Sequence, residues 1–265
     1  MSNSNKISVA TWNVNSIKAR LPNVIDWLRS AKPDVVLLQE LKCMDEAFPR
    51  MEIEDIGYNL AIHGQKTYNG VAILSKFPID DITKNIPNFE DASSRYIEAV
   101  ISVGGGAIRV ASVYVPNGQS PDSEKFQYKM NFYDKLHAHL KNIIGYDEKI
   151  LIGGDYNCAP EDIDVYDPKS LRGTTCFHPD EQAKFRKLLN LGYADIYRKL
   201  HPDRHEFSWW DYRAGAFNYN KGMRIDQILV NPKAADSVVS CHIDAEPRGK
   251  EKASDHTPVV CEITI

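Results

Sequence analysis

Short apolar, β-branched runs recur along this chain, and most of them stop at a residue able to bind a metal ion or move a proton. The runs cover residues 7–12, 35–38, 71–74, 96–103, 108–115, 150–152, 225–230 and 258–265. Their length and the turns that bound them predict strands, several buried on both faces. The residues at their ends are Asn13 and Asn15, Gln39 and Glu40, Tyr114 and Asn117, Asp155 and Asn157, Asp226, and Asp255 with His256. If those ends meet at one edge of a sandwich, they form a single acidic pocket on rigid supports.

Helical periodicity covers residues 17–31, 123–144 and 180–191, the last stopping before Gly192. Many strands with few helices predict two stacked sheets covered by helices. Composition does not shift at any linker and nothing repeats. One domain over residues 1–265 is therefore expected, with residues 1–5 as a flexible polar tail.

The net charge of −4 excludes nucleic-acid binding by bulk charge alone. Contact with DNA would need a local patch, for which Lys18, Arg20, Lys125, Lys129, Lys221 and Arg224 are candidates. The five cysteines are scattered and form no CxxC pair, which points to a reduced, cytoplasmic protein rather than a disulfide framework or a zinc site. Neither a secretory leader nor a membrane span is expected from the hydropathy. The eight histidines make no short zinc spacing, and no phosphate loop, nucleophile elbow or dinucleotide fingerprint is present.

Each polar motif has a functional and a bland reading. Glu40, ending an apolar run, could hold a hard cation or simply end a strand. In Gly153-Gly154-Asp155-Tyr156-Asn157 the glycines could let the chain approach a ligand, Asp155 could take a proton from water, and Asn157 could orient that water. The same residues also favour ordinary turns. His256 suits a phosphate if a carboxylate holds it protonated. Adjacent side chains on a strand diverge, so Asp226 rather than Asp255 is the expected partner, leaving Asp255 for a metal or its water. Trp209 and Trp210 could stack on bases or fill an abasic gap, with Arg213 reaching a phosphate, or they could form a core corner. Asp, Glu and Asn ligands favour magnesium or manganese.

The order of these pieces narrows the choice. Residues 8–15 (SVATWNVN) precede Leu38-Gln39-Glu40, Asn69-Gly70-Val71-Ala72, Val113-Tyr114-Val115-Pro116-Asn117, Gly154-Asp155-Tyr156-Asn157, Arg224-Ile225-Asp226 and Ser254-Asp255-His256. The series resembles the exonuclease III family of DNA-repair nucleases, also called class II AP endonucleases, and is nearest its bacterial branch. The resemblance runs from about Lys6 to the C-terminus.

It implies the four-layer αββα sandwich of the DNase I-like fold. It implies a Mg2+ site at Glu40 with Asn15, and with Asp255 as a further ligand; Mn2+ should substitute. Asp155 would activate or orient the attacking water with Asn157 beside it. His256, backed by Asp226, would bind the phosphate, Tyr114 would sit near the scissile phosphate, and Asn13 would steady the network. Asn117, Trp209, Trp210, Arg213 and Met223 would contact substrate. The base role stays open between Asp155, His256 and Tyr114.

The implied activity is cleavage 5′ to abasic sites in double-stranded DNA, with 3′-5′ exonuclease and 3′-phosphodiesterase action on blocked 3′ ends. A monomeric cytoplasmic enzyme, associated with the nucleoid when bound to DNA, is expected. The chain departs from the family at Met223, often a bulkier or branched residue, and at Asn15, where some members carry Asp. Its loop 162–176 has no close match. Three alternatives remain: a same-fold phosphoesterase on another substrate, a 3′-end-processing exonuclease with little AP endonuclease activity, and a non-catalytic DNA-binding relative.

Overall fold

The computed structural model describes residues 6–265. The expected N-terminal tail, residues 1–5, lies outside the described residues. In chain order the elements are β1 (Lys6–Asn13), α1 (Leu21–Ala31), β2 (Val35–Gln39), α2 (Arg50–Glu54), β3 (Asn59–His63), β4 (Val71–Ser75), β5 (Ile79–Lys84), β6 (Tyr96–Val103) and β7 (Gly106–Tyr114). They continue with α3 (Glu124–Ile143), β8 (Lys149–Asp155), α4 (Pro168–Leu171), α5 (Pro179–Asn190), β9 (Ala194–Asp195), α6 (Ile196–Leu200), β10 (Trp209–Trp210) and β11 (Gly222–Met223). The last are β12 (Asp226–Val230), α7 (Pro232–Ala235), β13 (Val238–Ile243) and β14 (Val259–Thr264).

Two six-stranded sheets carry the fold, ordered β13-β14-β1-β2-β4-β3 and β5-β6-β7-β8-β12-β9. Three apolar clusters cement four layers. Between the sheets, Val9, Val35, Leu37 and Ile73 meet Ala99, Val110, Leu151 and Ile228. On the outer face of the first sheet, Trp12, Val36 and Leu38 pack under Val24, Trp27 and Leu28 of α1 and Ile53 of α2. On the outer face of the second, Val113, Ile150 and Ile152 pack under Phe132, Leu136 and Leu140 of α3 and Phe185 of α5. Strands β2 and β4 are therefore buried on both faces, as their unbroken apolar runs predict.

Each sheet contains one parallel pair, β1–β2 and β7–β8, bridged by α1 and α3 respectively. Parallel neighbours end at the same sheet edge. Asn13 lies opposite Gln39, and Tyr114 opposite Asp155. Antiparallel β12 starts there with Asp226 opposite Asp155. Val259 of β14 pairs Thr11 of β1, so His256 arrives at the same edge.

Local chemistry moved two boundaries. The expected helix from residue 17 starts at Leu21, because the preceding N–H groups go elsewhere: Ser16 N donates to Glu40 O (2.7 Å) and Ile17 N to Leu41 O (3.2 Å). Ser123 caps α3 through its side chain, which accepts from Phe126 N, so that helix begins at Glu124. The glycines of β8 also differ from expectation. They lie inside the strand, where a Cβ on Gly154 would sit 1.9 Å from Val113 O and one on Gly153 would sit 2.7 Å from Leu37 Cδ1. Close packing, not a turn toward a ligand, requires them.

Candidate active site

The strand ends surround a cavity of about 380 Å³ lined by Glu40, Tyr114, Asn117, Asp155, Asn157, Thr175, Cys176, Trp209, Met223, Ile225, Asp255 and His256. Asn13, Glu40 and His256 come from the first sheet or the loops beside it. Tyr114, Asp155 and Asp226 come from the second.

His256 Nδ1 donates to the Asp226 carboxylate at 2.9 Å, and its Nε2 lies 3.7 Å from Asp155 Oδ2. The expected Asp226–His256 pair therefore forms. The segment is not part of β14; an isolated bridge between Trp209 and His256 holds it together with bonds from Trp210 N to Asp255 O (3.0 Å) and Thr257 N to Ser208 O (2.8 Å). Burial alone would lower the imidazole pKa, but the Asp226 and Asp155 carboxylates outweigh it and push it up to about 10. The ring is thus an imidazolium at neutral pH. Ser208 fixes its partner, donating through Oγ to Asp226 Oδ2 at 2.7 Å.

Asp155 is almost fully buried. Its Oδ1 accepts from Asn157 N (2.8 Å), and its Oδ2 from Asn13 Nδ2 (3.0 Å) and Asn157 Nδ2 (3.2 Å). Burial pushes its pKa up to about 7, with the Asp226 and Glu40 charges adding to the rise and His256 opposing it. A carboxyl poised there is matched to proton transfer near neutrality. Asn13 also donates to Glu40 Oε1 at 2.9 Å, so one amide links the two acidic residues across the sheets. Burial and the Glu40 and Asp155 carboxylates raise Tyr114 well above the usual phenol value, making it a neutral hydrogen-bond donor.

Burial would raise the Glu40 carboxyl, but the Lys42 ammonium and the Asn13 amide hold it below its ordinary value. Lys42 Nζ lies 2.9 Å from Glu40 Oε2 and 2.5 Å from Asn15 Oδ1. Sequence reasoning missed this lysine. Its ammonium rests where the oxygens of Glu40 and Asn15 converge, so these residues already hold a positive charge. Glu40 takes a left-handed φ of 54° and Lys42 one of 53°, which curls the loop back on itself. Backbone bonds from Leu41 N to Gly70 O and Lys42 N to Asn69 O offset the strain.

Ligand atoms of Glu40, Asp155 and His256 lie within 4.8 Å of one another. An imidazolium cannot ligate a metal, so the hard oxygens of Glu40 and Asp155 are the part of this cluster suited to a cation. Asp255 lies alongside, its oxygens accepting from Asn15 Nδ2 (2.9 Å) and Trp209 Nε1 (3.0 Å).

Trp209 and Met223 are cross-strand neighbours on β10 and β11 and wall the cavity with Ile225. Asn117 joins the rim, donating to Asn157 Oδ1 at 3.0 Å. Trp210 and Arg213 do not reach the cavity. Trp210 is 3% exposed, packs with Phe207 and Ala216, and donates to Asn220 Oδ1. Arg213 points into solvent and pairs with Asp211 at 2.5 Å. Two of the expected patch cations are likewise interior. Arg224 pairs with Asp164 and Asp195, and Lys129 with Glu181. Thr175 and Cys176 line the cavity unforeseen; they end the loop that matched nothing closely.

An imidazolium fixed beside hard oxygen ligands suits charge that develops on a phosphoryl group. Fold and cavity together define a phosphoester hydrolase. The chain belongs to the endonuclease/exonuclease/phosphatase family, whose model matches residues 10–256. It is 38% identical to exodeoxyribonuclease III of Haemophilus influenzae over 261 residues, 95% of this chain and 98% of that one. Among solved structures, an AP endonuclease from Archaeoglobus fulgidus superposes with a TM-score of 0.93 at 38% identity, covering 98% of this chain and 100% of that one. A 3′ phosphatase from Neisseria bound to a product DNA hairpin superposes with a TM-score of 0.93 at 37% identity, covering 97% and 99%. Among the described residues, no helix is long and apolar enough to cross a membrane.

Proposed function

We propose that this single-domain nuclease cleaves double-stranded DNA 5′ to abasic sites and trims blocked 3′ ends, using Mg2+ or Mn2+. The observation that carries the reading is the Asp226–His256 pair set beside Asp155 in the lining of a cavity with an apolar wall. A phosphate held by the imidazolium would present its phosphorus to a water beside Asp155, and a sugar without a base would rest against Trp209, Met223 and Ile225.

Glu40 would hold the metal, with Asn15 contributing its Oδ1 once Lys42 releases it and Asp255 acting through water. The ion would neutralise phosphate charge and stabilise the leaving oxygen. Asp155, ionised at neutral pH or close to it, takes the proton of the attacking water while Asn157 and Asn13 fix its orientation. His256 balances charge on the phosphoryl oxygens. Tyr114, neutral and facing Glu40 and Asp155, donates toward the phosphate or leaving group. We assign Asn117 to the substrate rim. Five buried free cysteines accord with a reducing compartment, the cytoplasm, and the enzyme would act as a monomer.

A 3′-end-processing enzyme with little AP endonuclease activity is the second reading. It is favoured by the near-equal identity to the Archaeoglobus AP endonuclease and the Neisseria 3′ phosphatase. A gel assay separates the two: a duplex with one stable abasic analogue beside a duplex with a recessed 3′ end, each with and without chelator. A nick 5′ to the lesion supports the first reading. Trimming without a nick supports the second, and neither product with Mg2+ or Mn2+ refutes both.

A further inference from the structure

We propose that a basic hollow beside the catalytic cavity is a second phosphate site, holding a backbone phosphodiester of the DNA away from the scissile bond. The inference rests on the DNA-cleaving reading above. The hollow, about 340 Å³, is lined by Arg20, Tyr212, Arg248, Lys250 and Lys252. It gathers four cations in a chain whose net charge is −4.

Three of these four cations are free of carboxylates. Lys250 is bound by Glu246 at 2.6 Å. Arg20, Arg248 and Lys252 have no ion-pair partner among the described residues. Arg20 donates to the Tyr212 hydroxyl at 3.0 Å, and Arg248 to the Trp210 carbonyl at 3.2 Å. Arg248 is further held by the rings of Tyr212 and Phe217, with its guanidinium carbon 5.3 and 5.1 Å from their centroids. The Nε–H groups of both arginines are buried without an acceptor. Lys252 adopts a left-handed φ of 53°, a conformation that a non-glycine residue keeps only where its surroundings impose it. Planar guanidinium groups held in place, with a lysine at the rim, match the tetrahedral oxygens of a phosphodiester.

Placement ties the hollow to the reaction. The Tyr212 hydroxyl donates to Ala253 O (2.9 Å) and accepts from both Arg20 and Asn15 Nδ2, the latter at 3.3 Å. Asn15 in turn donates to Asp255, which lines the catalytic cavity. Tyr212 and Asn15 therefore form a shared wall. Phosphates repeat about every 3.4 Å of axis on each strand, so a duplex seated in the cavity carries further phosphates across this wall. The hollow is open, which suits one group of a polymer better than a whole nucleotide enclosed on all sides.

The test measures affinity for a duplex with a stable abasic analogue, in chelator, between about 50 and 200 mM salt. Lys252→Gln, Arg20→Gln and their double variant are compared with the parent and with Lys141→Gln, an exposed lysine on α3. The site predicts that the slope of log affinity against log salt shallows by about 0.9 for each phosphate that is no longer neutralised. In the cleavage assay the change should fall on KM rather than kcat. Lys141→Gln should leave the slope at the parent value. Equal slopes in the double variant and the parent would overturn the inference while the parent's cleavage still supports the nuclease reading. Weakened binding of a 5′-mononucleotide with an unchanged duplex slope would also overturn it, marking a small-anion site. A parent that neither binds nor cuts either duplex would overturn both.

Discussion

Asp226 opens β12 of the second sheet and His256 lies just before β14 of the first, yet the imidazole Nδ1 lies 2.9 Å from the carboxylate. The pair spans the sandwich at its edge and sets the ring's charge. Below about pH 10 His256 is an imidazolium; the charge is lost as pH rises through that value. Its folded-state pKa is raised, so its contribution to stability is fully present below the unfolded value near 6.5 and disappears by about 10. Asp226→Asn removes the largest of the charges that oppose burial, leaving Asp155 and Asp255 to hold the proton. The alkaline limb of the kcat profile should move about one to three pH units lower. A limb that stays in place would remove His256 as the phosphate's counter-charge.

Glu40→Gln keeps the shape of the side chain and removes its charge. The Mg2+ concentration giving half-maximal rate should rise at least about tenfold, since even outer partners of a metal site cost that much when changed. Titrating the rate with Mg2+ and then Mn2+ reads this directly. An unchanged midpoint would move the metal away from Glu40.

Lys129 and Glu181 are both fully buried and 2.5 Å apart, and Lys129 also donates to the carbonyls of Asn117 and Asn157. Lys129→Met strands the Glu181 carboxylate inside the protein and should cost about 3–5 kcal/mol in urea unfolding. Lys129→Met with Glu181→Leu should recover most of that loss. If the double variant is no more stable than the single, the cost lies in the backbone bonds rather than in the unpaired charge.

Gly154→Ala should prevent folding or cost about 3 kcal/mol or more, because relief of the 1.9 Å approach to Val113 O would separate β7 from β8. Gly145, with nothing within 4 Å of its would-be Cβ, should accept Ala within about 0.5 kcal/mol. Thermal melts of the two variants make the comparison, and similar melting temperatures would refute the packing account.

The central strands were legible because both faces are buried, as in β2, where Val35 to Gln39 are all interior. Edge strands were not. In β5, Asp80, Asp81 and Ile82 are exposed, so no apolar run marks it. The cavity-lining positions Glu40, Tyr114, Asp155 and His256 were legible from strand ends in order. The two tryptophans part because neighbours on a strand face opposite ways; Trp209 takes the cavity and Trp210 the small core behind it, the core corner that the sequence also allowed. Arg213 lies outside the cavity, its exposed guanidinium paired with Asp211 two residues earlier. Lys42 left no signal, since only the left-handed turns at Glu40 and Lys42 fold its ammonium back onto the carboxylate.

The segment carrying Asp255, His256 and β14 follows every other described strand in the chain, yet β14 inserts between β13 and β1. A nascent chain on the ribosome therefore holds an open slot beside β1 until this segment emerges. Until then the carboxylates of Glu40, Asp155 and Asp226 have no imidazolium between them. A polypeptide clipped before residue 255 therefore lacks at once the strand that joins β1 to β13 and the counter-charge of the cavity.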